Sequence, residues 1–125
     1  MMPRSLAAAI ACAALIATAS CSNVKREAAQ LTGGDPDRGV QLIGRYGCPA
    51  CHTIPGVRGA NAAVGPPLTR VANRTYLAGQ IQNTPANMMR WIQHPREVER
   101  GTAMPEMGVT DSDARDIAAY LYTLR

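Results

Sequence analysis

The chain contains no phenylalanine and a single tryptophan, Trp91, and only 4% of its residues are aromatic. So few large rings exclude a rich core, and 125 residues allow one domain of modest interior rather than two. Strand signals are scarce as well: no alternation of β-branched residues flanks the cysteines at 48 and 51. The formal net charge of +4 is weak and scattered, and no basic run is interleaved with aromatics, which removes any case for nucleic-acid binding. Long apolar runs are also missing. The one extended stretch, Leu6 to Ala17, is too short for a comfortable membrane span.

That stretch follows Arg4, and residues 1–20 read as a secretory signal that is cut off, taking Cys12 with it. Its end offers two cleavage readings. Ala17-Thr18-Ala19 is an A-x-A site that would release a soluble protein, whereas Thr18-Ala19-Ser20-Cys21 resembles a bacterial lipobox with Thr18 where leucine is usual. An odd cysteine after an export signal needs an explanation in an oxidising compartment, and acylation of Cys21 supplies one. Residues 21–34 are then expected to be an acylated or flexible polar tether, with a reach of about 20 Å, the alternative being a frayed helical turn at Arg26 to Leu31.

What the chain does have is Cys48-Pro49-Ala50-Cys51-His52. Positions i, i+3 and i+4 of a helical turn share one face, so both sulfurs and the imidazole can address the same flat molecule. C-x-x-C-H is the pattern of covalent haem attachment: two thiols close thioether bonds and the histidine takes the iron. A thioredoxin-like pair would need a βαβ context, and a zinc site would need four ligands, for which adjacent Cys51 and His52 are poorly arranged. A haem would also give the few aliphatic side chains a large flat surface to pack on.

Around this motif the sequence reads as helices. Asp35 and Pro36 make an N-cap and first position, and Val40, Ile43 and Tyr46 recur at three-residue spacing. From Thr53 to Pro67 glycines and prolines without periodicity indicate a loop lying over the cofactor. Thr84-Pro85 starts a second helix with Met88, Trp91 and Ile92 on one face, ending near His94 because Pro95 follows. A loop is expected from Arg96 to Val109. Thr110, with Asp113 three residues on, opens a terminal helix whose stripe is Ala114, Ile117, Ala118, Leu121 and Leu124. No strand is required, so the expected fold is all-α, about three to five helices around one haem.

In this order the segments from Asp35 to Arg125 resemble class I cytochrome c. Gly39 and Ile43 stand where that family's first helix meets its last, and Tyr120-Leu121 is the facing pair. Gly65-Pro66 matches the G-P whose proline carbonyl accepts a hydrogen bond from the proximal histidine. Trp91-Ile92-Gln93-His94-Pro95 followed by Gly101-Thr102-Ala103-Met104 is similar to the aromatic-Leu-x-x-Pro and G-T-x-M segment that carries the distal ligand. Arg100 departs from the proline that often precedes G-T-x-M, and the stretch Arg74 to Thr84 is not placed on the family pattern.

The resemblance implies one covalently bound haem c on Cys48 and Cys51, axial ligation by His52 and Met104, and pocket contacts from Trp91, Thr102 and the Pro66 carbonyl. Met107, three residues beyond Met104, is the rival ligand, with His94 behind it; Met88 and Met89 lie on a helix and read as packing. A thioether favours Fe(II) and raises the reduction potential. The function expected is electron transfer to or from a respiratory complex, terminal oxidase or periplasmic dehydrogenase, by an exported protein held to the membrane through Cys21. Alternatives are a dedicated subunit of a larger oxidoreductase, or a haem protein reacting with peroxide or a gas.

Overall fold

The computed structural model describes residues 23–125. The expected signal peptide and Cys21 lie outside the described residues.

Side-chain caps set where the helices begin. Asp35 accepts from the backbone N–H groups of Asp37 and Arg38 and so starts α2, Pro36–Arg45, with proline where an N–H would have no helical partner. Thr84 caps α3, Pro85–Gln93, by accepting from Asn87 N–H. Thr110 caps α5, Asp111–Leu121, by accepting from Asp113 N–H. All three starts fall where the sequence placed them.

Two helices were not expected. Residues 23–32, read as part of a polar tether, form α1; its one strongly apolar contact is small, since Ala28 is fully buried while Leu31 on the same helix is 52% exposed. Ion pairs hold the rest of it down, Lys25 to Asp37 and Glu27 to Arg125 at 2.7 Å. Gly33, at φ 72°, ends it in the left-handed conformation, and Thr32 turns its hydroxyl back onto the Ala28 carbonyl at 2.9 Å. The second is α4, Pro95–Val98, inside the stretch read as loop: Pro95 breaks α3 but also suits the first position of a new turn. A small antiparallel ribbon, β1 (Tyr76–Leu77) with β2 (Ile81–Gln82), is added to the helical fold where the sequence showed no alternation.

α2 and α5 cross tightly enough that only glycine fits between them. A Cβ on Gly39 would lie 2.0 Å from the Asp116 carbonyl oxygen and 3.1 Å from Tyr120 Cβ. One flank of the crossing is polar. Arg38 pairs with Asp116 and with Asp113 at 2.5 Å, the Tyr46 hydroxyl donates to Asp113 at 2.7 Å, and Asp116 accepts from Asp35 N–H at 2.7 Å. Asp116 is only 7% exposed, so these partners are what make its burial tolerable. The Tyr46 hydroxyl and the Arg38 guanidinium together hold the Asp113 carboxyl below its ordinary range.

The other flank is apolar. Leu42 and Ile43 of α2, Met88 and Ile92 of α3, and Ala114, Ile117, Ala118 and Leu121 of α5 form one buried cluster. Each fully buried aliphatic contributes about 1.5–3 kcal/mol. Val40 is only half-buried, so the buried face of α2 runs through Gly39, Leu42 and Ile43 rather than through the expected Val40. Leu124, beyond the end of α5, packs partly on the cluster, and its carbonyl accepts from Ala72 N–H at 3.1 Å.

Candidate haem site

The chain leaves α2 through Gly47, whose φ of 77° turns it sharply into a 3₁₀ turn, Cys48–Ala50. Backbone donors at Cys51 and His52 both point to the Cys48 carbonyl, at 3.2 and 3.1 Å. Cys48, Cys51 and His52 therefore come from one tight turn, and all three line the same cavity. The two sulfurs are not joined in a disulfide. Burial pushes the Cys48 thiol up.

Behind the histidine the loop 53–67 is stitched to this turn. Gly65 N–H donates to the Cys51 carbonyl at 2.7 Å, Leu68 N–H to the Thr53 carbonyl at 2.8 Å, and the Thr53 hydroxyl to the Ala62 carbonyl at 3.0 Å. His52 Nδ1 lies 2.7 Å from the Pro66 carbonyl oxygen. A carbonyl can only accept, so the proton belongs on Nδ1 and Nε2 keeps its lone pair. Gly65 is a glycine for want of space: a Cβ there would lie 2.5 Å from His52 Cε1 and 2.8 Å from Nδ1.

The cavity encloses about 430 Å³. Its walls are mostly aliphatic and thioether side chains, among them Ile54, Leu68, Val71, Met88, Ile92 and Leu121, with Trp91 beside them. Thr102, Met104 and Met107 close another part of the wall. Met104 N–H donates to the Thr102 hydroxyl at 3.1 Å, which fixes the turn that presents the methionine. Met107 borders the same cavity from the side of the Cys48 turn: a Cβ on Gly47 would meet its Cε at 3.7 Å. His94 is exposed and does not line the cavity; it sits 3.8 Å from Glu106.

Every pocket residue expected from the sequence thus borders one cavity. Arg74 was not expected there. Among the described residues it is the only charged side chain lining the wall, and one of its N–H groups is held by the Pro67 carbonyl. No motif marks it, since it follows a stretch with no periodic signal.

An apolar slot with two thiols, an imidazole primed on its outer nitrogen and methionines on the wall suits haem and suits little else. Among the described residues no three His, Cys, Asp or Glu side chains group as a site for a bare metal ion. The family description cytochrome c matches residues 36–125. The chain belongs to the cytochrome c family.

As a class I c-type cytochrome it carries covalently bound haem c and serves electron transfer. Cytochrome c2 of Rhodopila globiformis is 35% identical over 105 residues, which cover 74% of this chain and 95% of that protein. Cytochrome c oxidase subunit 2 of Alkalihalophilus pseudofirmus is 30% identical over 90 residues, covering 71% of this chain. This cytochrome spans only 25% of that subunit's length. No solved structure matches the chain. α1 lies outside the matched segment.

Proposed function

We propose that this cytochrome is a monohaem electron carrier in which Cys48 and Cys51 hold the porphyrin and His52 Nε2 and Met104 hold the iron. The observation that carries the ligand assignment is the pairing of His52 Nδ1 with the Pro66 carbonyl at 2.7 Å, in the same cavity that Met104 borders. When bound, the haem supplies a one-electron Fe(II)/Fe(III) couple. The chain's own contribution is to keep that couple from rearranging. His52 is braced by Pro66 with Gly65 close behind the ring, and the backbone before Met104 is tied to Thr102, which would limit how far either ligand moves between redox states. The aliphatic walls would exclude water from a bound haem and disfavour the extra charge of its ferric state, which would raise the potential. Arg74 is the side chain on the wall that would offset a haem propionate.

The partner we infer is a respiratory complex or another oxidoreductase, reached by a protein exported and held at a membrane by lipid on Cys21. Support for a respiratory partner comes from the cytochrome c oxidase subunit, part of which is similar to this chain. The same similarity favours a second reading, a dedicated haem c subunit of a larger assembly. Co-purification from detergent-solubilised membranes separates the two: a stable stoichiometric complex marks a subunit, and isolation alone marks a free carrier.

The test of the ligand set compares two methionines. Met104→Ala is expected to abolish the weak long-wavelength band of a ferric Fe–S bond and to lower the potential, with Met107→Leu leaving both nearly unchanged. The opposite pattern would assign the iron to Met107.

A further inference from the structure

The segment that presents Met104 is attached to the rest of the molecule mainly at its start. Glu99 holds a tight turn with both its main chain and its side chain: its carbonyl accepts from Thr102 N–H at 3.1 Å, and Oε1 accepts from Gly101 N–H at 3.1 Å. The second carboxylate oxygen, Oε2, accepts from Gln80 Nε2 at 2.7 Å. Gln80 lies in the turn between β1 and β2, where Gln80 N–H also donates to the Leu77 carbonyl at 2.9 Å. Leu77 and Ala78 of that hairpin border the haem cavity, and so do Thr102 through Pro105. A single carboxylate therefore ties together two stretches of the cavity wall that are otherwise separate in the chain. The far end of the Met104 segment is held more loosely, by Glu106 at 3.4 Å from Arg96 N–H and 3.8 Å from His94 Nδ1.

We propose that Glu99, clasped by Gln80, is a positioning residue for the sixth-ligand side of the haem. Its carboxylate fixes the turn from which Thr102 orients Met104, and releasing it lets an external ligand replace Met104 more readily. The proposal rests on Met104 being the ligand. It places control of that ligand at a hydrogen bond between two residues that do not themselves line the haem cavity.

The experiment is an imidazole titration of the ferric haem-loaded protein, followed by loss of the Fe–S band. Glu99→Ala is expected to tighten apparent imidazole binding about tenfold, equivalent to about 1.4 kcal/mol of lost closing free energy. Gln80→Ala should give a several-fold shift, and adding it to Glu99→Ala should give no more, because the two share one bond. Glu99→Gln keeps an oxygen for Gly101 N–H and should fall between wild type and Glu99→Ala. Glu27→Gln, which breaks the distant pair with Arg125, should leave the titration unchanged. If Glu99→Ala fails to load haem, Gln80→Ala alone carries the test. An affinity within twofold of wild type in the alanine variants, or an equal shift in Glu27→Gln, overturns the clasp. Met104→Ala separates the two failures: loss of its band with no effect of Glu99→Ala condemns the clasp alone, and retention of its band condemns the ligand assignment and the clasp together.

Discussion

Replacing Gly65 by alanine adds one methyl group at the tightest point behind the proximal histidine. The backbone there does not adopt a positive φ, so the substitution is tested by space rather than by conformation. The new Cβ would begin 2.5 Å from His52 Cε1, and ordinary contact begins near 3.4 Å, so ring or loop must retreat by close to an ångström. A retreat of that size stretches the 2.7 Å contact between His52 Nδ1 and the Pro66 carbonyl beyond hydrogen-bonding range. The loss is about 0.5–1.5 kcal/mol for the bond and about 1–3 kcal/mol for overpacking, together about 1.5–4.5 kcal/mol. For a domain of this size the melting temperature should fall by about 5 °C or more. Gly44→Ala is the matched control, because Gly44 lies within α2 with nothing within 4 Å of a new Cβ. There the same methyl should stabilise, by up to about 0.5–1 kcal/mol. Thermal melts of the two haem-loaded variants, followed in the visible spectrum, decide the matter. A Gly65→Ala protein that melts within 2 °C of wild type, with its potential unmoved, would refute a close-packed proximal face.

The acid limb of stability should depend on Tyr46. Its hydroxyl is the largest cause holding the Asp113 carboxyl low, so Asp113 stabilises the fold above the ordinary carboxylate value and loses that contribution as pH falls through its depressed one. Tyr46→Phe should raise the folded-state value and move the acid-unfolding midpoint to higher pH; an unchanged midpoint would show that the seam between α2 and α5 does not feel this bond. Cys21→Ser should move the mature protein from the membrane fraction to the soluble one, or stop its processing, and a wild-type mature N-terminus at Ser20 would remove the lipid.

Much of the site was legible because its chemistry is local in sequence. Cys48, Cys51 and His52 share one turn, so their spacing alone placed them together, whereas Thr102 and Met104 came into view only through the resemblance to the G-T-x-M segment. The caps at Asp35, Thr84 and Thr110 were equally local. What escaped notice depends on partners far along the chain. The backbone that carries Arg74 is tied down by Asn83, whose Nδ2 donates to the Val71 and Arg74 carbonyls, both at 2.9 Å, while its Oδ1 accepts from the Tyr122 hydroxyl at 2.8 Å. The ribbon at Tyr76–Gln82 depends on a turn in which Ala78 accepts a left-handed φ of 52°, a conformation that a non-glycine residue seldom announces. α1 buries too little apolar surface to show a stripe, and its ion pairs join residues 12 and 98 positions apart.

That helix changes what an anchor at Cys21 would mean. Were Cys21 acylated as proposed, only Ser22 would separate it in sequence from the first described position of α1, a span of at most about 7 Å. With Ala28 buried and two exposed ion pairs closing α1 onto the domain, lipid and haem domain would be joined through a packed helix instead of a free tether. A protein mounted this way keeps a fixed bearing. It would swing out less freely than a protein on a free chain, and its encounters would become a two-dimensional search in which partners arrive along the membrane.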